Sequence, residues 1–479
     1  MTSTSYQSKS EAVSYAPPAP AGAGAMVVLL GLGLATAAFI SAAFFDVRIA
    51  VGIFGLLVFA LATLRSPYFG LLLYILVLYV RPGEIGLVPE ALHFERVVAL
   101  GLMAVVLLRR LVGQARPLPA SPLNRVIFFF LAAVWVGVPF AYWKMGAMMG
   151  AVDLSKLCWL YLGIVYLVED VRHLRTLVWV ALLAWAWYGF SAIKGYVGGG
   201  SVYVGEGYVT RALGPTSRFG DADTMANLLA CALPYVGTLL WVERGRLRLV
   251  LIGLGALYIG GVAVTGSRTG LLALAFVVLL LVCTGRRRLL TGSLLLLVMV
   301  GTWLALPESL KDRYRTIGDY DSQATWVARR QTWEIGERMF LNNPVFGVGA
   351  GNFAAARRDE RNPYDREWLS PHSVYIEVSA ELGLPGIICF LALIWYVVRE
   401  NRRLRRQLRR APPSSDVSYA LALSLAAEVT LYTLLFVGIT GHNLSNPSYY
   451  LVAALTVCLS HFAARAVAPA EKSPATAAA

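Results

Sequence analysis

Roughly fourteen continuous apolar runs, each close to the about 20 residues a helix needs to cross hydrocarbon, constrain this chain more than any other feature. They lie near 26–45, 49–64, 67–80, 96–112, 124–142, 153–168, 174–196, 224–242, 247–265, 268–284, 288–306, 372–398, 417–439 and 447–465. The runs are rich in Leu, Val and Ala and do not alternate with polar residues. A membrane β-barrel needs that alternation, so the pattern predicts helices instead. Composition agrees: 57% of the 479 residues are hydrophobic and 15% charged, against about 45–50% and 25% in soluble domains. The expected fold is all-α, a polytopic transmembrane bundle of about 12–14 helices with a small, largely helical loop domain.

The chain divides on composition. Residues 1–25 form a polar, Pro/Ala-rich tail and 467–479 a second tail, both disordered in composition. The expected bundle occupies 26–306 and 372–466, interrupted by a hydrophilic segment at 307–371. The first apolar run is expected to serve as an uncleaved signal anchor. All five cysteines fall inside predicted helices, so no disulfide framework is implied.

The net charge of +14 is unevenly placed. Arg109, Arg110 and Arg116, then Arg172 and Arg175, then Arg244, Arg246 and Arg248, then Arg286 to Arg288 fall on alternate connections. The basic loop 399–415 follows the same alternation. By the positive-inside rule these connections and both termini are cytoplasmic. Residues 81–95, 197–223, 307–371 and 440–446 are then outside. The basic charge reads as a topogenic signal, and nucleic acid is not an expected partner. Segment 307–371 has ten Lys/Arg and ten Asp/Glu. It carries helical periodicity over 322–343 and a Gly-rich turn over 343–353, and reads as a folded cap.

Several ionisable groups fall on the periplasmic side: Arg211 in RALGPTSRFGDADTMAN, Arg268 in VTGSRTG, Arg329 and Arg330 opening the cap helix, and His372 at the start of PHSVYIEVSAELGLPG. Ionisable residues near hydrocarbon are costly and mark functional sites. Guanidinium groups offer planar, permanently charged forks suited to phosphate. For each arginine taken singly, snorkelling to headgroups or pairing with a carboxylate is the competing reading. An imidazole has an unperturbed pKa of about 6.5, so His372 is suited to receive a proton from an attacking hydroxyl. Its competing role is an interfacial bond to a carbonyl. Glu377 and Glu381 share one face of the same helix, and His442 in TGHNLSNP lies on the same side. These three are further site candidates. Asp221/Asp223 and Asp319/Asp321 have D-x-D spacing, a weak metal signal. No zinc-ligand spacing, P-loop or nucleophile elbow is present. GVGAGNF resembles a phosphate nest without the strand–turn–helix setting that would make it one. Glu428 stands mid-helix and needs a partner.

In combination, these residues resemble the superfamily of O-antigen ligases and Wzy-type polymerases, bacterial inner-membrane glycan ligases of the GT-C class. The resemblance is carried by Ser267–Arg268 at a helix start and by Arg329-x-x-x-Trp333, followed by the Pro344…Gly347-Val348-Gly349 turn. His372, ten intervening residues before Gly383, and Leu384-Pro385-Gly386 complete it. It is good over about 205–390. Where the family often has Pro-Asn before the next helix, this chain has Asp221-Ala222-Asp223.

The resemblance implies a metal-independent, inverting transfer of a glycan from undecaprenyl pyrophosphate to an acceptor hydroxyl, such as a lipid A core sugar, at the periplasmic face. It implies His372 and Arg268 as catalytic residues, with Arg211, Arg268, Arg329 and Arg330 on the diphosphate and no cofactor. The expected partners are the lipid-linked donor, a glycan or lipid A core acceptor and membrane lipids. A Wzy-type polymerase and a protein O-oligosaccharyltransferase share these features. A transporter would account for the bundle, but the ionisable groups gather at one face and no internal repeat is evident.

Overall fold

The computed structural model describes residues 46–113, 117–200, 202–204, 210–284, 288–315, 324–361, 370–441 and 444–467, with single helical positions at 33 and 36. The expected helix at 26–45 therefore lies almost wholly outside the described residues. Among those described there are sixteen α-helices and one two-stranded antiparallel sheet. Nine helical stretches are long and apolar enough to cross a membrane, and three shorter apolar helices accompany them. The protein is a multi-pass helical membrane protein.

The first half of the bundle comprises α1 (Val47–Arg65), α2 (Pro67–Val80), α3 (Phe94–Leu111), α4 (Pro122–Gly137), α5 (Lys144–Leu167) and α6 (Val171–Gly198). A hairpin of β1 (Val202–Val204) and β2 (Thr210–Ala212) follows, with Tyr203 opposite Arg211. The sequence pattern does not anticipate these two short strands, which lie in the expected outer connection 197–223. Next come α7 (Ala222–Leu239), α8 (Gly245–Val264), α9 (Arg268–Thr284) and α10 (Arg288–Ala305).

The α7 helix is the axis of the site. It packs against α8, α9 and the later helix α15 (Ser415–Val437), and it is buried along nearly its whole length. A helix apolar all round belongs in a core, and its small residues let neighbours approach. At Gly270 an added Cβ would lie 2.5 Å from the Ala226 Cβ. That close approach sets the first turn of α9 beside the first turns of α7.

Three helices fill the hydrophilic segment: α11 (Glu308–Arg315), α12 (Ala324–Asn342) and α13 (Phe353–Arg361). Ile335, Met339, Val348, Phe353 and Ala356 form a small core with Ala380 of α14 (Val374–Leu408). The α14 helix is longer than the apolar run implies. It continues through most of the expected basic loop at 399–415, because Arg, Glu, Gln and Leu are good helix formers and Leu404 and Leu408 are buried.

A kink interrupts α14 at Gly383, whose backbone (φ 62°, ψ −156°) is open only to glycine. Pro385 has no N–H to give the Glu381 carbonyl. Instead the Gly349 N–H donates to that oxygen at 2.9 Å, the Val348 N–H to the Ala380 carbonyl at 2.8 Å, and the Leu384 N–H to the Pro344 carbonyl at 2.9 Å. The Gly-rich turn is thus a splint for a broken helix.

At the opposite end of α14, Glu428 of α15 accepts hydrogen bonds from Tyr432 Oη at 2.6 Å and Arg402 Nε at 3.3 Å, and it also pairs with Arg405. Its expected partner is therefore supplied by the helical extension of α14. The last helix, α16 (Pro447–Val467), is almost fully buried against α5, α14 and α15.

Candidate functional site

The site collects at the end of the bundle where α7, α9 and α14 begin. The Arg211 side chain on β2 is buried and held from two sides. Its Nε donates to the Thr265 carbonyl at 2.9 Å and its Nη2 to Asp223 Oδ1 at 2.9 Å. Asp223 also lies within electrostatic reach of Arg329. Arg211 thus ties the hairpin strand to the first turn of α7 and to the α8–α9 turn.

The α8–α9 turn has its own logic. Gly266 takes a left-handed backbone with φ +60°, and an added Cβ would be 3.4 Å from both Arg211 Cγ and Arg313 Cδ. The left-handed backbone is what favours glycine here, and a Cβ would also press on Leu310 Cδ2 at 3.1 Å. Ser267 caps α9 by accepting the Gly270 N–H at 3.0 Å. Arg268 is then the first residue of the helix. Its Nε donates to the Arg313 carbonyl at 3.2 Å, Arg313 Nε returns a bond to the Gly266 carbonyl at 2.9 Å, and Tyr314 Oη anchors on the Ala263 carbonyl at 2.8 Å. The α11 helix thus braces the turn that presents Arg268.

Arg329 is half-buried and faces this cluster, whereas Arg330 is exposed and pairs with Glu334 at 3.3 Å. Of the two neighbouring arginines, Arg329 is the one brought toward Asp223. Arg313 joins the group without having been singled out in the sequence. It sits in a charged helix whose only signal is its place just after a membrane run.

His372 occupies the left-handed region at φ 48°. That backbone is uncommon for a residue with a Cβ and persists where surrounding contacts dictate it. The contacts are present on both sides. Trp333 Nε1 donates to the Pro371 carbonyl at 3.1 Å, and the Val374 N–H donates to the Gly438 carbonyl at 2.8 Å. The Arg-x-x-x-Trp spacing thereby acquires a physical meaning. One turn of α12 carries Arg329, within electrostatic reach of Asp223, and Trp333, which bonds the backbone beside His372. Packing is tight here, since a Cβ on Gly336 of α12 would lie 2.3 Å from Ile376 Cγ2.

The two glutamates after His372 both accept backbone N–H groups. Glu377 Oε2 accepts the Leu444 N–H at 3.1 Å, fastening the loop before α16. Glu381 is buried and accepts the Gly351 N–H at 2.7 Å and the Phe353 N–H at 3.1 Å. The Gly-rich turn does form an anion nest, and the protein's own carboxylate fills it.

Asp221 is the N-cap of α7, accepting the Asp223 and Thr224 N–H groups at 3.0 Å each, while Asp223 serves Arg211. The D-x-D spacing is accounted for by a cap and an ion pair. His442, Asp319 and Asp321 lie outside the described residues. Two further polar groups lie nearby. Asn227, one turn below Asp223 on α7, has a buried Oδ1 without a hydrogen-bond partner. Arg218 is half-buried and donates to the Ser445 carbonyl at 3.2 Å. Burial and the nearby charge of Arg81 depress its pKa.

Arginines from separate elements therefore meet at one end of a many-helix membrane bundle, beside a histidine held in a strained backbone. Residues 229–391 match the family model described as O-antigen ligase, Wzy_C, and this part of the chain carries that domain. The matched segment includes Arg268, Arg329, Arg330 and His372, and Arg211 precedes it. It supports a glycosyl-transferring activity of the ligase or polymerase type. No curated protein matches the chain.

Proposed function

We propose that the protein transfers a glycan from undecaprenyl pyrophosphate to an acceptor hydroxyl at the periplasmic face of the bacterial inner membrane. The observation that carries this reading is the Arg211–Asp223–Arg268–Arg329 cluster, built at the same end of the bundle as His372. Arg211, Arg268 and Arg329 hold the diphosphate, and Arg330 stands at the rim. Asp223 orients Arg211 and limits mutual repulsion of the cations.

In the reaction the acceptor oxygen attacks the anomeric carbon from the face opposite the diphosphate. A new C–O glycosidic bond forms, the anomeric carbon–phosphate oxygen bond breaks, and configuration inverts. His372 receives the acceptor hydroxyl proton. Negative charge grows on the departing diphosphate, where preorganised guanidinium groups are most effective. The arginines fill the role a divalent ion has in other glycosyl transfers, so the reaction is proposed to be metal-independent. The acceptor is proposed to be a lipid A core sugar. Polymerisation of repeat units and protein O-glycosylation use the same chemistry with another acceptor.

A strain lacking the protein, with its glycan products and lipid-linked intermediates profiled, tests the proposal. Loss of the transferred glycan with build-up of the undecaprenyl-linked donor is expected. An unchanged lipid-linked pool would remove the basis for the donor assignment. Single-unit capping of the core in the deletion strain would point to the polymerase variant.

A further inference from the structure

The end of α14 away from His372 carries a surface that the transfer reaction does not use. Leu384, Ile388, Leu391 and Trp395 are exposed large apolar side chains, spaced at three and four residues along one face of the helix. The same face continues as Arg399, Arg402, Arg403, Arg406 and Arg410, all exposed. A single stripe thus runs from aliphatic, through tryptophan, to arginine. Trp395, Val398, Gln407 and these five arginines line a groove of about 530 Å³. Arg399 lies over the Trp395 ring at 4.8 Å.

Beyond the kink at Gly383 the helix is continuous, and from Leu384 to Trp395 it rises about 17 Å, roughly half the hydrocarbon thickness. The apolar stripe ends at Trp395, a residue favoured where a membrane meets water. Arg399, Arg402 and Arg403 then lie about 6–12 Å further on, at headgroup level. Arg402 is partly engaged by Glu428, and Arg403 stands 3.9 Å from Glu400. Among the described residues no ion pair with a carboxylate engages Arg399, Arg406 or Arg410.

We propose that this groove is a binding site for an anionic phospholipid. Its acyl chain lies along Leu384, Ile388 and Leu391, and its phosphodiester is held by Arg399 and Arg403 below Trp395, with Arg406 taking further headgroup charge. The continuity of the apolar and cationic stripes selects a lipid over a soluble anion, since a free phosphate needs only the second half. The site stands whichever face of the membrane it opens on, and it does not depend on the glycan-transfer reading.

The full-length protein, exchanged from detergent into phosphatidylcholine nanodiscs containing a minor fraction of phosphatidylglycerol, provides the test. Retained phosphatidylglycerol is counted by native mass spectrometry. Replacing Arg399, Arg403 and Arg406 together by Gln is expected to lower retention by at least about tenfold, since each basic residue at a membrane surface contributes substantially to anionic-lipid attraction. Replacing Arg244, Arg246 and Arg248, another exposed basic cluster, removes the same charge elsewhere and is expected to leave retention near wild type. Trp395→Ala keeps every arginine and should lower retention several-fold. Excess inorganic phosphate should not displace the lipid from the wild-type protein. Equal loss in both triple variants, unchanged retention in the groove triple, or displacement by phosphate would each overturn the proposal.

Discussion

Glu381 decides whether the Gly-rich turn is a splint or a ligand cradle. Its two carboxylate oxygens accept the Gly351 and Phe353 N–H groups at 2.7 and 3.1 Å in a buried setting. Glu381→Ala leaves both donors without that acceptor, at about 1–3 kcal/mol each, or roughly 2–6 kcal/mol in all. Glu381→Gln keeps one acceptor oxygen and turns an NH2 toward the other N–H, so about half that loss is expected. Thermal unfolding in detergent can be followed with a thiol-reactive dye, because Cys158, Cys231, Cys389 and Cys458 are buried and report unfolding. The exposed Cys283 is first replaced by Ala. The expected order of midpoints is wild type, then Gln, then Ala, with a separation of several degrees. At a temperature where all three are folded, the Gln variant should transfer glycan at close to the wild-type rate. An Ala variant as stable as wild type would refute the splint. Lost transfer at an unchanged midpoint would return Glu381 to the substrate.

Three further outcomes follow from the same geometry. In a Cys283→Ala background, cysteine at Asp312 should react with an impermeant thiol reagent in intact spheroplasts and cysteine at Ser414 should not; reversed labelling would invert the proposed topology. Arg268→Lys should lose donor affinity although the charge is kept, because an ammonium cannot reproduce a bidentate fork, while wild-type transfer should persist in EDTA. Strict dependence on magnesium or manganese would displace the arginine-based account. Glu428→Ala should destabilise the bundle by less than the about 3–5 kcal/mol of a fully stranded buried charge, because Arg405 keeps its bonds to Ser424; the same thiol assay reads it, and a wild-type midpoint would show that the α14–α15 ion pair is dispensable.

The helical class was legible because a membrane leaves few options: apolar runs and basic connections state the bundle directly. Residues acting through side chains at short spacing were also legible. Arg329 and Trp333 lie one turn apart, and Ser267 and Arg268 open a helix. Contacts made across the chain were not. Glu428 finds Arg405 only because α14 continues past its apolar run, and charged residues with good helix propensity give no hydropathy signal. Arg313 reaches Gly266 through a turn whose shape depends on a positive φ. The Asp221/Asp223 spacing is shared by metal ligands and by a cap followed by an ion pair, and only hydrogen-bond partners separate the two. For Glu381, too, an acidic residue near a Gly-rich turn, suited to orient a ligand or to pair with arginine, does not reveal that the turn's own N–H groups bond to it.

The most direct test of the proposed mechanism is His372→Ala, with the lipid-linked donor pool and the transferred glycan measured together. The residue is only half-buried, so expression and insertion should stay near wild type. General-base contributions are about 10²–10⁴-fold, enough to abolish the transferred glycan. The account predicts that the variant still binds donor, that undecaprenyl-linked glycan accumulates, and that no product forms. Normal transfer by His372→Ala would make the residue an interfacial anchor and contradict its assignment as the proton acceptor.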